Sequence, residues 1–123
     1  MLEGRSSLAI DRAIPAFIRD HARERPHAPA ILSSGGEVLT YEALQRQIEA
    51  IAASLKTAGI TAGTRVAIVM PDGPALAVAI VAIACSATAV PLNPSLTAPE
   101  FEGLFAAQKL EALILADWAE SAA

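Results

Sequence analysis

A chain of 123 residues makes one small domain, able to bury roughly two thirds of its unfolded surface. Hydrophobic residues are 54% and charged ones 18%, against about 45 to 50% and 25% in an average domain, so part of the apolar material calls for a partner. Thirteen Asp and Glu against nine Lys and Arg give a net charge of -4 with no basic cluster, which excludes a surface that tracks a phosphate backbone and so excludes nucleic acid as a partner.

In chain order, the apolar stretch from Leu8 to Ile18 is broken by Asp11 and Arg12, and no small-residue cleavage pattern follows it, so it does not read as a signal peptide. Ile14, Phe17, Ile18, His21 and Ala22 recur at helical spacing, with Pro15 suited to a first turn and Pro26 closing the segment. An opening amphipathic helix is predicted. Ala30-Ile31-Leu32 and Val38-Leu39-Thr40 flank Ser33-Ser34-Gly35-Gly36-Glu37, the pattern of a hairpin.

Tyr41, Leu44, Ile48, Ile51, Leu55 and Ala58 then step by three and four, one apolar stripe on a helix whose other faces carry Glu42, Arg46, Glu49 and Lys56. Thr40 is placed to act as N-cap, with Leu39 and Leu44 as a hydrophobic staple, and Gly59 suits the left-handed position past the last turn. Arg65 to Met70 is a short β-branched run ended by Pro71-Asp72-Gly73, which reads as a buried strand. From Pro74, Leu76, Ile80 and Ile83 form one stripe and Ala75, Ala79, Ala82 and Ser86 a second of small residues, the pattern of a helix buried on two sides. Ala89 to Leu92 reads as a strand, Thr97 as the cap of a helix through about Ala107, and Ala112 to Leu115 as a third buried strand. The expected fold class is α/β: an N-terminal helix and small β-hairpin, then a β-α-β-α-β parallel unit with right-handed crossovers, all in one domain over residues 1–123 without an internal boundary.

No charged side chain occurs from Gly73 to Pro99, long enough for a membrane span, but Pro91 and Pro94 break the run and its flanks, Asp72 and Glu100, are acidic. No span is expected. The lone Cys85 cannot close an internal disulfide and suits a reducing, cytoplasmic setting.

Catalytic signatures are missing: no phosphate loop followed by lysine, no G-x-G-x-x-G, no G-x-S-x-G and no metal-ligand spacing. Gly59 and Gly63 lie between a helix end and a strand start, whereas a phosphate cradle needs strand, loop, then helix. His21 reads as a helix-packing histidine, His27 between Pro26 and Pro29 as solvated, and Cys85 as a structural thiol with no cation near it in sequence. Trp118 reads as a core cover or interface residue rather than a ligand platform.

Four segments in order resemble the adenylate-forming superfamily of acyl- and aryl-CoA synthetases, peptide-synthetase adenylation domains and luciferases. They are Leu39-Thr40-Tyr41-Glu42-Ala43-Leu44, similar to L-T-Y-x-E-L; Gly63-Thr64-Arg65-Val66-Ala67-Ile68, after a helix ending Ala58-Gly59-Ile60; the Pro71-Asp72-Gly73 turn; and Val90-Pro91-Leu92-Asn93-Pro94, similar to V-P-L-N-P. Ala43 departs from the usual Glu and removes a capping-box partner for Thr40, and Ser86 stands where glycine is usual. The Pro-Leu-Asn-Pro ending is more like acyl-CoA ligases than peptide-synthetase domains.

The resemblance implies an incomplete part of the family's N-terminal domain. It also implies a reaction that uses ATP and Mg2+ to turn a carboxylic acid into an acyl-adenylate, and then CoA as acceptor. The family's phosphate loop, metal-binding Glu, ribose-binding Asp and C-terminal lysine match nothing within these 123 residues, and Ser95 stands where some CoA ligases carry an arginine for a CoA phosphate. No catalytic, cofactor-binding or metal-binding residue is therefore assigned, and the chain alone is expected to bind no cofactor and to be inactive. A free-standing scaffold or dimerisation module of the same ancestry is the alternative. In either case a homo-oligomer is expected, burying apolar surface that includes one stripe of the helix from Pro74.

Overall fold

The computed structural model describes residues 14–117 and 119–123. Most of the N-terminal stretch from Leu8, with Asp11 and Arg12, and Trp118 lie outside the described residues. Helix α1 runs over residues 14–24. An antiparallel pair follows, β1 (Pro29–Leu32) with β2 (Val38–Thr40), Ile31 opposite Leu39 and an irregular step between Pro29 and Ile31.

Helix α2 (Tyr41–Thr57) begins where its sequence says it should: Thr40 is extended, and its Oγ1 accepts from the Ala43 N–H at 3.2 Å. Leu39 and Leu44 belong to one apolar cluster, as a staple requires. At the other end, the Ile60 N–H bonds to the Leu55 carbonyl at 2.9 Å and the Gly59 N–H to the Lys56 carbonyl at 3.1 Å, with Gly59 at φ 79°. This is a Schellman motif, and Ile60 packs with Leu55 as its hydrophobic contact.

The parallel sheet holds β3 (Arg65–Val69), β4 (Thr88–Leu92) and β5 (Ala112–Leu115) in the order β4-β3-β5. Connecting them are α3 (Pro74–Ala84) and α4 (Ala98–Ala107). Since β4 and β5 lie on opposite sides of β3, right-handed crossovers put α3 and α4 on opposite faces of the sheet. Side-chain alternation agrees. Val66 and Ile68 face the α3 side, packed with Leu76, Ala79, Ile80 and Ile83, and with Leu55 of α2. Phe105 of α4 and Leu113 line one hollow on the other face. Residues 66 to 70 are all buried because β3 alone is covered on both sides.

Two expectations about packing need correction. Helix α3 is buried on two sides, but its second face is Val78, Ala82 and Cys85 against α1 and α2; Ala75 is exposed. No stripe of α3 is left uncovered, because α2 lies along it. The exposed large apolar residues are instead Ile14, Phe17, Leu32, Val38, Leu113 and Leu115. Strand β5, expected to be buried, has Leu113 at 37% and Leu115 at 50% exposure. It is an edge strand, and the face shared with α4 is only partly covered.

Thr97 Oγ1 accepts from the Glu100 N–H at 3.4 Å and starts α4. Arg65, at the head of β3, reaches the far end of that helix, its Nε donating to the Gln108 carbonyl at 2.6 Å and Nη2 to Gln108 Oε1 at 2.8 Å. A cation at a helix C-terminus complements the exposed carbonyls there. Among the described residues no helix is long and apolar enough to cross a membrane.

Candidate functional site

In doubly wound sheets the carboxyl ends of the strands, where the covering helices diverge, leave the crevice that ligands use. Here that edge carries a cleft of about 490 Å³ lined by Met70, Asp72, Leu76 and residues Pro91 to Ser95. It sits over β3 and β4, beside the switch in strand order between β3 and β5.

Local sequence builds each wall. Pro71-Asp72-Gly73 ends β3, and Gly73 at φ 147° and ψ -177° turns the chain into α3 in a conformation open essentially to glycine alone. Pro74 then takes the first helical turn. On the opposite wall Pro91 and Pro94 bracket Leu92-Asn93, and Asn93 Oδ1 accepts from the Ser95 N–H at 2.8 Å, closing an Asx turn. Met70, Leu76 and Leu92 give an apolar floor, and Asp72, Asn93 and Ser95 a polar rim.

This lining holds one carboxylate, no basic side chain, no histidine and no thiol. A nucleoside triphosphate with its metal needs fixed donors and cations around the phosphates. The cleft residues do not fit that group; they can orient a small apolar body with a polar edge and carry out no proton transfer from a tuned base. No set of three or more His, Cys, Asp or Glu among the described residues is arranged to hold a metal ion.

The residues weighed from sequence lie elsewhere. His21 packs its ring against Tyr41, centroids 4.9 Å apart, and its Nδ1 accepts from Arg25 Nη2 at 2.9 Å, a clasp between α1 and the start of α2. The His27 side chain is 87% exposed, 3.9 Å from Glu42. Cys85 is half-buried at the end of α3; burial pushes its thiol up, and Arg19 of α1 opposes that in part. The sequence shows no cation near Cys85 because Arg19 arrives from another helix. Ser86 does not adopt a positive φ, so glycine is not required there. The sequence marks Asp72 only as a turn residue and Asn93 only as part of the Val90 to Pro94 resemblance; strand ends in a parallel sheet are the signal that makes both cleft residues.

Fold and motifs meet a family model on the same residues. A model described as AMP-binding enzyme matches residues 18–123. The chain belongs to the AMP-binding enzyme family. It is 38% identical over 94 residues to feruloyl-CoA synthase of an Amycolatopsis species, covering 76% of this chain and 19% of that one. It is likewise 38% identical over 98 residues to the fatty acid–[acyl-carrier-protein] ligase ScoC of Streptomyces coeruleorubidus, covering 79% of this chain and 19% of ScoC. The chain thus spans about a fifth of the length of these relatives. The N-terminal subdomain of Klebsiella oxytoca NpsA superposes with a TM-score of 0.76 at 24% identity, over 90% of this chain and 29% of that one. At that identity the likeness is one of fold: the helix, antiparallel pair and parallel sheet follow the arrangement of that subdomain.

Proposed function

We propose that the chain is the opening part of an ATP-dependent, AMP-forming acid–thiol ligase. Its acid would be a carboxylate with an apolar body, and its acceptor the CoA thiol. The observation that carries this reading is the family match over residues 18–123 together with 38% identity to feruloyl-CoA synthase. ScoC, at equal identity, is named for a carrier-protein acceptor; the Pro91-Leu92-Asn93-Pro94 turn, more like that of acyl-CoA ligases, favours free CoA. ATP and Mg2+ would be held by parts of the domain other than this chain's cleft. In this reading the chain alone catalyses nothing, binds no cofactor and works in the cytoplasm, where Cys85 stays reduced.

The test is a segment exchange. Residues 18–115 are placed in feruloyl-CoA synthase in place of the matching segment, and ATP–pyrophosphate exchange with the acid is measured. Retained exchange with CoA-dependent thioester formation supports the reading. A folded chimera without exchange overturns it, and exchange by the 123-residue chain alone overturns the claim of inactivity.

A second reading, a scaffold that associates with itself, is favoured by the exposed Ile14, Phe17, Leu32, Val38, Leu113 and Leu115. Both readings include self-association.

A further inference from the structure

The apolar pattern of β5 does not choose its register on β3. Residues Ala112 to Ala116 read Ala-Leu-Ile-Leu-Ala, with no polar side chain to mark a wrong alignment. Register is strongly specified where a slip would turn polar groups into the core, and this run carries none. In the structure Val66 stands opposite Ala112 and Ile68 opposite Ile114, and all four pack on the α3 side. A slip of two residues keeps the same face inward and sets Ile114 opposite Val66 and Ala116 opposite Ile68, again apolar on apolar. That slip lengthens the connection from α4, whereas the reverse slip would shorten the four residues 108–111 by two.

The two registers differ in what they do to Arg65. Its Nε donates to the Gln108 carbonyl at 2.6 Å and its Nη2 to Gln108 Oε1 at 2.8 Å. Its own carbonyl accepts from the Glu111 N–H at 2.9 Å, and its N–H donates to Glu111 Oε1 at 3.4 Å. Both ends of the four-residue connection are therefore tied to one residue at the head of β3. Between them Lys109 stands at φ 51° and the Leu110 N–H bonds to the Phe105 carbonyl at 3.1 Å, which takes up the slack. A two-residue slip moves β5 by about 7 Å along β3, and it must break the Glu111 bonds or drag Gln108 out of the guanidinium fork. A planar fork with parallel donors holds one geometry, which a lysine ammonium does not.

We propose that Arg65 pins the register of β5 and, through it, the floor of the cleft at the opposite end of the sheet. In the observed register Val69 stands opposite Leu115, so the buried Ala116 follows at the level of Met70 and joins its apolar cluster. Met70 lines the cleft. A slip would draw Ala116 back from that level by about 7 Å. Arg65 is thus a positioning residue that acts from the far end of the strand. The inference does not depend on the ligase chemistry.

The experiment traps the register in a Cys85→Ser chain with two cysteine pairs, A67C with L113C and, separately, A67C with L115C. Residues opposed on neighbouring strands stand about 4.8 Å apart, within disulfide range, and a pair offset by two residues about 8 Å apart, beyond it. Under mild oxidation the first pair is expected to close and the second to stay reduced. Adding R65Q is expected to raise closure of the second pair relative to the first by about tenfold or more, the change that loss of a hydrogen bond from a charged group brings. R65K is expected to fall between, and should R65Q lose the circular dichroism spectrum of the fold, R65K carries the comparison. Failure of the first pair to close with Arg65 in place, or equal closure of both pairs, overturns the register. Closure of the first pair alone in folded R65Q or R65K chains overturns the pin.

Discussion

Lys109 occupies at the end of α4 the position that Gly59 occupies at the end of α2. Both stand past the helix with positive φ, 51° and 79°, and both are followed by a residue whose N–H reaches back five positions, Leu110 to Phe105 and Ile60 to Leu55. A lysine in the left-handed region carries a steric cost that glycine does not. Lys109→Gly is therefore expected to stabilise the chain by about 1 kcal/mol, net of glycine's greater unfolded-state freedom. Urea denaturation measures it; an unchanged or lower midpoint at equal slope contradicts the assignment.

Gly73 presents the reverse case. At φ 147° the backbone is closed to other residues even though an added Cβ meets nothing within 4 Å, so the penalty is one of conformation and not of space. Gly73→Ala is expected to cost about 1 to 3 kcal/mol. The same substitution at Gly63, which also meets nothing and has no positive φ, is expected to be near neutral. Equal midpoints for the two variants in thermal or urea melts would remove the conformational argument.

Cys85 has its thiol raised by burial, with Arg19 lowering it in part. Alkylation by iodoacetamide is expected to follow a pH profile displaced to the alkaline side of the same chain in urea. The sign for stability follows from linkage. Below the unfolded thiol's ordinary value both states keep the proton, and the contribution is fully present. Above it the unfolded state releases the proton first, and the contribution is lost as pH rises through the folded value. Cys85→Ser should remove that alkaline decline, and a folded chain alkylated at neutral pH as fast as the unfolded one would contradict it.

The elements were legible wherever local chemistry decides them. Thr40 and Thr97 start helices, Gly59 ends one, and the β-branched run at Val66 to Val69 forms the central strand, because cap, turn and period are written in neighbouring residues. What lay outside local reach was coverage. An apolar run such as Ala112 to Leu115 reads the same whether it lies inside a sheet or at its edge, and the exposure of Leu113 depends on strand order. The inner face of α3 was misdrawn for a similar reason: alanines and valines both suit a buried helix, and only the arrival of α2 chooses Val78 over Ala75. Of the cleft, the sequence shows Pro71-Asp72-Gly73 as a turn and Asn93-Pro94 as the end of a family-like segment. That both stand at the same end of adjacent strands is a property of the parallel pairing.

The central position of β3 also imposes an order of events in time. Its partner in β4 lies 23 residues along the chain, Arg65 to Thr88, and its partner in β5 lies 46 away, Val66 to Ala112. Doubling a loop adds about 0.6 kcal/mol to its closure, so the β4 side is expected to close first and the β5 side to zip onto a template already half formed. During synthesis the bias becomes strict, since β3, α3 and β4 leave the ribosome before β5 exists. Pulse-labelled hydrogen exchange during refolding should find amides bridging β3 and β4 protected ahead of the Glu111 amide that meets Arg65.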